Sequence, residues 1–152
     1  RTVLLKKYDE KGFVFFTNYG SQKAKEIENN PNVSLQFLWL DLERQVKIRG
    51  RAEKISTKES MDYFFSRPKG SQMGAWVSEQ SKVVSSRSVL MNQFVKLKQQ
   101  FQDKEIEFPK FWGGDRVIPE YFEFWQGGKD RIHDRIVYLP EEMAWNTQRL
   151  AP

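Results

Sequence analysis

The sequence predicts a single α+β domain, residues 1–152, built on a mainly antiparallel β-barrel with helices at its periphery. Short apolar segments of strand length recur along the chain with polar or glycine-containing turns between them, and helical segments lie between the resulting hairpins. The 152 residues suffice for one hydrophobic core and are too few to expect two. Aromatic residues make up 14% of the chain, a content that is typical of folded proteins.

The first four strands are predicted as two hairpins. Residues 2–6 and 12–17 are apolar runs joined by a polar turn, and residues 32–40 and 45–55 lie on either side of a second polar turn. Gly50 interrupts the alternating pattern of the fourth strand. A glycine inside a strand indicates a bulge or the close approach of another backbone.

Helices are predicted between and after these hairpins. Ser56 and Glu59 have the spacing of a capping box, which satisfies backbone N–H groups at a helix start, and Pro68 ends the helix that follows. A later segment has apolar residues at helical spacing. The four predicted helices cover residues 22–29, 56–66, 70–77 and 89–102.

The C-terminal part is predicted to contain three closing strands, residues 116–125, 131–139 and 142–150. Gly127 and Gly128 form the predicted turn between the first two. An aromatic and glycine-rich connection, residues 108–114, precedes them.

Composition excludes several classes of protein. The chain has no cysteine, which rules out disulfides and thiolate metal sites and is typical of a reducing cytosol, so we expect a cytoplasmic protein without a metal. Mean hydropathy is −0.70 and no apolar run approaches the length of a membrane span, so we expect no membrane association. The chain begins in strand-like sequence without an initiator Met, and we expect an N-terminal segment of the full-length protein to precede it.

The charge balance predicts an anionic partner. The net charge is +5 and the sequence pI is near 9.4, which favours nucleic acid, acidic lipid or phosphorylated small molecules. The basic residues are interspersed with acids and form no Lys/Arg block. Single cations in pockets therefore fit better than a nucleic-acid surface, and we expect no nucleic-acid partner.

The first candidate site surrounds the only histidine. If residues 131–139 form a strand, Arg131, His133 and Arg135 share one face, where three potential cations repel one another unless an anion lies among them. Trp125 and the glycine turn just upstream suit a planar ligand. The alternative is a solvated barrel rim that carries surface charges.

The second candidate site lies at a helix break. Tyr63 and Arg67 are four residues apart on one helix face, and Ser71 lies in the next turn. A guanidinium and hydroxyl groups that converge at a break suit a phosphate. An ordinary basic helix C-terminus explains the same residues equally well.

A third set of cations lies near the first helix. Arg1 and Lys6 come from the N-terminal segment, and Gln22 and Lys23 begin a helix whose free N–H groups favour phosphate. Each lysine taken alone would be a solvated surface charge. The sequence contains no P-loop, GxGxxG or HExxH motif, and a Ser-based nucleophile is poorly supported. The residues alone therefore predict a barrel that binds phosphorylated planar ligands.

Seven segments of the chain are recognisable as motifs: RTVLLK at 1–6, FFTN at 15–18, LERQVKIRG at 42–50, YFFSRPKGSQMGAWVSEQS at 63–81, FWGG at 111–114, EFWQGGKDRIHDR at 123–135 and RLAP at 149–152. With these motifs the chain resembles the pyridoxine 5'-phosphate oxidase family over essentially its whole length. The resemblance implies an FMN-binding split β-barrel that forms a homodimer with FMN sites at the subunit interface. It also implies oxidation of pyridoxine 5'-phosphate or pyridoxamine 5'-phosphate to pyridoxal 5'-phosphate, with O2 as acceptor and H2O2 as product.

The resemblance also implies roles for individual residues. Arg131 and His133 match residues that position the substrate ring over the flavin, and we expect them to be the catalytic residues. The substrate phosphate matches the set Lys6, Tyr63, Arg67 and Ser71. The FMN positions match Arg1, Val3, Leu4, Lys6, Phe16, Thr17, Gln22, Lys23, Gln45, Gln80, Ser81, Trp125 and Arg135, with Arg1 and Lys23 favoured for the FMN phosphate. Gln22 stands where many relatives have Arg, so FMN is expected to be held less tightly.

Three other functions stay open at this point. Another flavin split-barrel protein, such as a flavin reductase-like relative, would bind FMN and ignore pyridoxine phosphate. A basic nucleic-acid-binding module would show steeply salt-dependent binding. A storage protein would bind pyridoxal phosphate without turnover.

Overall fold

The computed structural model describes residues 1–102, 104–142 and 144–152. They form seven strands and four α-helices, with short 3-10 turns at Leu40–Leu42 and Lys129–Arg131. In chain order the elements are β1 (Lys7–Asp9), β2 (Gly12–Asn18), α1 (Gln22–Asn29), β3 (Asn32–Trp39), β4 (Arg44–Lys54), α2 (Thr57–Ser66), α3 (Lys69–Val77), α4 (Arg87–Gln100), β5 (Trp112–Gln126), β6 (Asp134–Glu141) and β7 (Ala144–Leu150).

Strand β5 organises the sheet. Along one edge it pairs with β4, and along the other it pairs first with β2 and then, beyond Val117, with β6. Strand β1 extends the sheet beyond β2, β3 extends it beyond β4, and β7 extends it beyond β6. Every pairing is antiparallel, and the described strands form an open sheet. The predicted α+β class with an antiparallel sheet and peripheral helices is therefore confirmed.

Gly50 lies at a break in the register between β4 and β5, as its place in the sequence predicts. The pairing shifts between Arg49 and Gly50. A Cβ atom at Gly50 would lie 2.0 Å from the carbonyl oxygen of Ile118, so no larger side chain fits. The position is both a bulge and a close backbone approach.

Seven of the buried apolar residues form two clusters near β2 and the first half of β5. One joins the helices to the start of β5 through Phe64, Met73, Ile106 and Trp112. The other lies within the sheet and beneath α1. Helix α2 is fixed at its start by the predicted capping box, in which Ser56 accepts from the backbone of Glu59. No helix among the described residues is long and apolar enough to cross a membrane.

The first predicted strand is wrong in position. Residues 2–6 are not strand, and β1 covers only Lys7–Asp9, largely within the residues assigned to the turn. The backbone N–H of Lys11 donates to Asp9 Oδ1 at 3.0 Å, which tightens the turn so that pairing starts at Asp9 opposite Gly12. The N–H of Lys6 still donates to the carbonyl oxygen of Val14 at 3.0 Å, and residues 2–4 line a cavity.

The predicted strand 131–139 also begins too early. Asp130 and Arg131 have φ angles of 55° and 64°, in the left-handed region, so β6 starts only at Asp134. Arg131 and His133 therefore do not share a strand face with Arg135, contrary to the prediction.

The predicted connection 108–114 is only partly a connection. Trp112, Gly113 and Gly114 belong to β5 and pair with the end of β2. Glycine is required there because the side chains of Tyr19 and Ile55 occupy the space of a Cβ atom. The last predicted strand, 142–150, is confirmed over Ala144–Leu150, and its position 143 lies outside the described residues.

Candidate functional site

A cavity of about 580 Å³ opens between the N-terminal segment, the end of β2, the start of β5 and the α2–α3 corner. We call it the Arg67 cavity. Several predicted FMN positions and all four predicted substrate-phosphate positions line it: Val3, Leu4, Lys6, Phe16, Thr17, Lys23, Tyr63, Arg67, Ser71 and Gln80. Trp112, which the sequence analysis did not single out, lines it as well.

Three aromatic rings form one wall of the Arg67 cavity. The ring of Phe16 stacks against those of Tyr63 and Trp112, at centroid distances of 3.9 Å and 5.1 Å, and the planes are within about 20° of parallel. Trp112 is buried at the start of β5, whereas Phe16 and Tyr63 are half-buried. A stack of nearly parallel rings beside the cavity gives a planar ligand an aromatic surface to pack against.

Arg67 is a half-buried cation of the cavity. It ends α2, its Nη2 donates to the carbonyl oxygen of Ser71 at 2.8 Å, and its guanidinium carbon lies 4.9 Å from the Trp112 ring centroid. Its Nη1 is buried and has no hydrogen-bond partner among the described residues. Burial lowers the pKa of Arg67. Because an unpaired buried cation is costly, an anion such as a phosphate oxygen fits this position.

Lys23 lies at another part of the same cavity and is also partly buried. Its Nζ donates to Thr17 Oγ1, and Thr17 Oγ1 in turn donates to Gln80 Oε1 at 3.1 Å. Burial is the main cause that lowers the pKa of Lys23. Ser21, fully buried, caps α1 by accepting from the backbone of Ala24. A second cation therefore faces the cavity beside a helix start, where backbone and dipole also favour an anion.

Three predicted FMN positions near α1 lie outside the lining of the Arg67 cavity. The side chain of Gln22 donates to Glu26 Oε1 at 2.7 Å, and its backbone N–H donates to Ser81 Oγ at 3.2 Å. Arg1 lines a neighbouring cavity that Lys23 also borders, and its charge lowers the pKa of Lys23. Arg1, Gln22 and Ser81 therefore lie near Lys23 but do not line the Arg67 cavity.

The remaining predicted residues form a separate group, which we call the His133 cluster. Trp125 on β5 pairs with Gln45 on β4 and with Arg135 on β6, and its ring lies 5.0 Å from that of His133. Arg131 is exposed and ends the 3-10 turn two residues before His133. The structure therefore brings five of the predicted residues together here.

One hydrogen bond indicates which ring nitrogen of neutral His133 carries the proton. The backbone N–H of Gly128 donates to His133 Nδ1 at 3.1 Å. An accepting Nδ1 carries no proton, so the neutral ring is protonated at Nε2. In this arrangement the histidine presents a donor to a ligand and does not present a base.

Arg135 is held by residues that the sequence analysis missed. Its Nε donates to Glu123 Oε1 at 3.0 Å, and its Nη1 donates to the carbonyl oxygen of Ala151 at 3.1 Å. Tyr121 donates to the other oxygen of Glu123 at 2.7 Å. Arg135 is the largest cause that lowers the pKa of the buried Glu123, which stays ionised. The sequence contains no signal for Glu123, because β5 also contains Asp115 and Glu120 and the partner Arg135 lies on another strand.

The Arg67 cavity and the His133 cluster lie at opposite ends of β5. Trp112 and Trp125 mark the two ends, about 40 Å apart along the strand at about 3.3 Å per residue. No residue of the His133 cluster lines the Arg67 cavity of the same chain.

Solved structures with the same chain path define the class of protein. The crystal structure of PhzG from Burkholderia lata 383, in complex with tetrahydrophenazine-1-carboxylic acid, matches with a TM-score of 0.91 at 26% identity, over 100% of this chain and 74% of that one. A pyridoxamine 5'-phosphate oxidase-related, FMN binding protein from Nostoc punctiforme PCC 73102 matches with a TM-score of 0.76 at 13% identity, over 100% and 80%. The fold is that of the FMN-binding split barrels.

Sequence comparison gives the family. Residues 2–101 match the family described as pyridoxamine 5'-phosphate oxidase, and residues 112–152 match the pyridoxine 5'-phosphate oxidase C-terminal dimerisation region. The chain belongs to the pyridoxamine 5'-phosphate oxidase family, which confirms the resemblance. It is similar to pyridoxine/pyridoxamine 5'-phosphate oxidase 2 of Hydrogenovibrio crunogenus (63% identity, 100% of this chain and 71% of that one) and to pyridoxine/pyridoxamine 5'-phosphate oxidases of Rippkaea orientalis (61%, 100% and 72%) and Escherichia coli O1:K1 / APEC (59%, 100% and 70%).

Proposed function

We propose that this chain oxidises pyridoxine 5'-phosphate or pyridoxamine 5'-phosphate to pyridoxal 5'-phosphate, with FMN as cofactor and O2 as the final acceptor, giving H2O2. The observation that carries the proposal is the Arg67 cavity, in which two partly buried cations and a stack of aromatic rings line the same space. Family membership and the names of relatives that are about 60% identical over the whole chain support the same reaction.

The cavity fits two phosphates at different places. Arg67 has a buried Nη1 without a partner among the described residues, and we assign the substrate phosphate to it together with Lys6, Tyr63 and Ser71. Lys23 lies beside the start of α1, and we assign the FMN phosphate to that side, near Thr17 and Gln80. Each phosphate would satisfy a cation that burial otherwise makes unfavourable.

The active protein is proposed to be a homodimer whose sites combine two chains. The match of residues 112–152 to a dimerisation region supports the dimer. Because the His133 cluster is about 40 Å along β5 from the Arg67 cavity, we propose that each cavity receives the His133 cluster of the partner copy. Gln45, Trp125 and Arg135 would then complete the flavin site, and Arg131 and His133 would face the substrate.

The residues have distinct roles in the proposed reaction. FMN, when bound, supplies the acceptor for the hydride that leaves the substrate C4' carbon. The Arg67 cavity fixes the substrate by its phosphate, so that orientation is set before chemistry begins. His133 offers its Nε2–H as a donor because Nδ1 accepts from Gly128. We therefore assign His133 to positioning the substrate hydroxyl or amine, with Arg131 beside it.

An anaerobic half-reaction tests this function. FMN-loaded protein is mixed with pyridoxine 5'-phosphate while flavin absorbance is followed, and unphosphorylated pyridoxine serves as the matched control. We expect rapid bleaching with the phosphorylated substrate, much slower bleaching with pyridoxine, and recovery of the yellow colour in air. Stable yellow flavin with the phosphorylated substrate would leave an FMN-binding barrel and overturn the oxidase.

Two expectations from the sequence stay predictions. The single domain over residues 1–152 would appear as one cooperative unfolding transition. The cytoplasmic location would appear in cell fractionation.

A further inference from the structure

Asp115 is a buried carboxyl group that the proposed reaction does not use. It lies on β5, three residues after Trp112, and its side chain is only 2% exposed. Its Oδ2 is buried without a hydrogen-bond partner among the described residues. Buried carboxylates are normally paired, so this one calls for a physical explanation.

The strand register places Asp115 close to the Lys23 side of the Arg67 cavity. Asp115 pairs with Phe15 on β2 and with Lys54 on β4, and residues directly opposite each other in an antiparallel sheet point to the same face. The Nζ of Lys23 lies 5.7 Å from the ring centroid of Phe15 on that face. Asp115 and Lys23 therefore share one side of the sheet, beneath α1.

The other charged and titratable groups around Asp115 come from three elements. A cavity of about 250 Å³ beside it is lined by Glu28 from α1, by Arg51 and Lys54 from β4, and by Tyr19 from the turn after β2. Lys54 pairs with Glu28 at 4.0 Å, and both side chains are exposed. Lys23 is thus the partly buried cation of this group, and Asp115 is its buried acid.

The two buried groups influence each other's protonation. Burial raises the pKa of Asp115 to about 6, while the charges of Lys23 and Lys54 oppose that increase. Burial lowers the pKa of Lys23, and the charge of Asp115 opposes that decrease. The carboxyl group therefore gains or loses its charge near neutral pH, in response to small changes in its surroundings.

We propose that Asp115 is the counter-ion of Lys23 in the FMN-free protein and shifts toward its protonated form, with the proton taken from solvent, when the FMN phosphate binds beside Lys23. The inference rests on the proposed function, because it uses the assignment of the FMN phosphate to Lys23. A phosphate dianion near Lys23 replaces the carboxylate as the partner of the ammonium group and repels it. Protonation removes that repulsion without moving the strand, so FMN affinity and the charge of Asp115 are linked.

FMN titrations across pH test the linkage. FMN is added to the FMN-free full chain between pH 5.5 and 8.5, flavin fluorescence gives the Kd, and wild type is compared with Asp115→Asn. Because the FMN phosphate ionises in the same way in both titrations, its own pH dependence cancels in the ratio of the wild-type Kd to the variant Kd. We expect that ratio to rise about tenfold from the lowest to the highest pH, which corresponds to about one pKa unit of coupling. Glu28→Gln removes an exposed carboxylate from the same surroundings and should follow wild type.

The outcomes separate this inference from the proposed function. A ratio that is constant with pH, while FMN still binds, overturns the inference and leaves the flavoprotein assignment intact. Riboflavin lacks the phosphate and should give a constant ratio; a riboflavin ratio that rises like that of FMN also overturns the inference. Failure of wild type to bind FMN at any pH overturns both.

Calorimetry on wild type gives a second measurement that needs no variant. FMN binding is followed at pH 7 in two buffers with different enthalpies of ionisation. We expect net uptake of roughly half a proton, because Asp115 is mostly ionised at pH 7 before binding and is shifted toward protonation afterwards. Zero uptake or net release overturns the inference even if Asp115→Asn fails to fold.

Discussion

The Arg67 cavity and the His133 cluster differ in whether their arginines already have hydrogen-bond acceptors within the chain. In the cavity, Arg67 keeps a buried Nη1 without a partner among the described residues. In the cluster, Arg135 already donates to Glu123 and to the carbonyl of Ala151, and His133 accepts from Gly128. The Arg67 guanidinium therefore keeps a donor for an anion, whereas the hydrogen bonds within the cluster already fix the orientations of Arg135 and His133.

The largest expected effect tests whether the two regions act across two chains. Arg67→Ala and Arg131→Ala are co-expressed with different tags, and dimers that contain one of each are isolated. One site of the hybrid contains both substitutions and the other contains neither. With substrate well below KM we therefore expect about half of wild-type activity, roughly 5- to 50-fold above either parent variant.

A matched hybrid provides the control for complementation. Arg67→Ala combined with Lys23→Ala places both substitutions in the Arg67 cavity, so each site of that dimer has one damaged cavity and activity should stay low. Equal recovery in both hybrids, or recovery in neither, would contradict a site shared between chains.

A smaller effect is expected from Arg67→Ala alone. A charge-assisted contact to the substrate phosphate is worth about 1.5–3 kcal/mol, which corresponds to a KM about 10–100-fold higher with kcat changed much less. Lys69→Ala, two residues along the chain and outside the cavity lining, is the control and should leave KM unchanged. Steady-state kinetics with pyridoxine 5'-phosphate measures both. A KM that Arg67→Ala leaves unchanged would remove the phosphate assignment.

A still smaller effect is expected at Glu123, which holds the guanidinium of Arg135. Glu123→Gln weakens that charge-assisted bond by about 1–1.5 kcal/mol, so we expect FMN to bind about five- to tenfold less tightly. In an Arg135→Ala background the same change should have no further effect, because Glu123 acts through Arg135. Glu120→Gln, on the exposed part of β5, is the control. Additive losses in Kd would contradict the positioning role.

The sequence predicts correctly those elements whose signals lie within a few consecutive residues. Helix α2 was predicted because Ser56 and Glu59 satisfy each other within one turn, and the cavity residues Tyr63 and Arg67 were found because they are one helical turn apart. The predicted start of β6 is wrong because Asp130 and Arg131 have left-handed φ angles. Neither residue is a glycine, so the sequence gives no signal for that conformation.

Residues whose role comes from neighbouring strands could not be found in this way. Glu123 matters because Arg135 lies on β6, and Asp115 matters because Phe15 and Lys54 flank it in the register. No sequence spacing encodes those pairs before the strands are aligned. The same limit explains why the sequence does not show that the Arg67 cavity and the His133 cluster lie far apart. Their separation depends on β5 beginning at Trp112, a residue that the sequence pattern places in a loop.

The last prediction concerns stability and the charge of Asp115. Because burial raises the folded-state pKa of Asp115 from 3.8 to about 6, the folded protein binds this proton more tightly than the unfolded chain. Its stabilising contribution is full below about pH 4 and is lost as pH rises through about 6. We expect Asp115→Asn, which carries no charge at any pH, to be more stable than wild type at pH 8 by about 1–3 kcal/mol and to lose that advantage at pH 4. Urea unfolding of the FMN-free chain at the two pH values measures the difference, with Glu28→Gln as the exposed control. An advantage of the same size at both pH values would mean that packing alone, and not the buried charge, separates the two proteins.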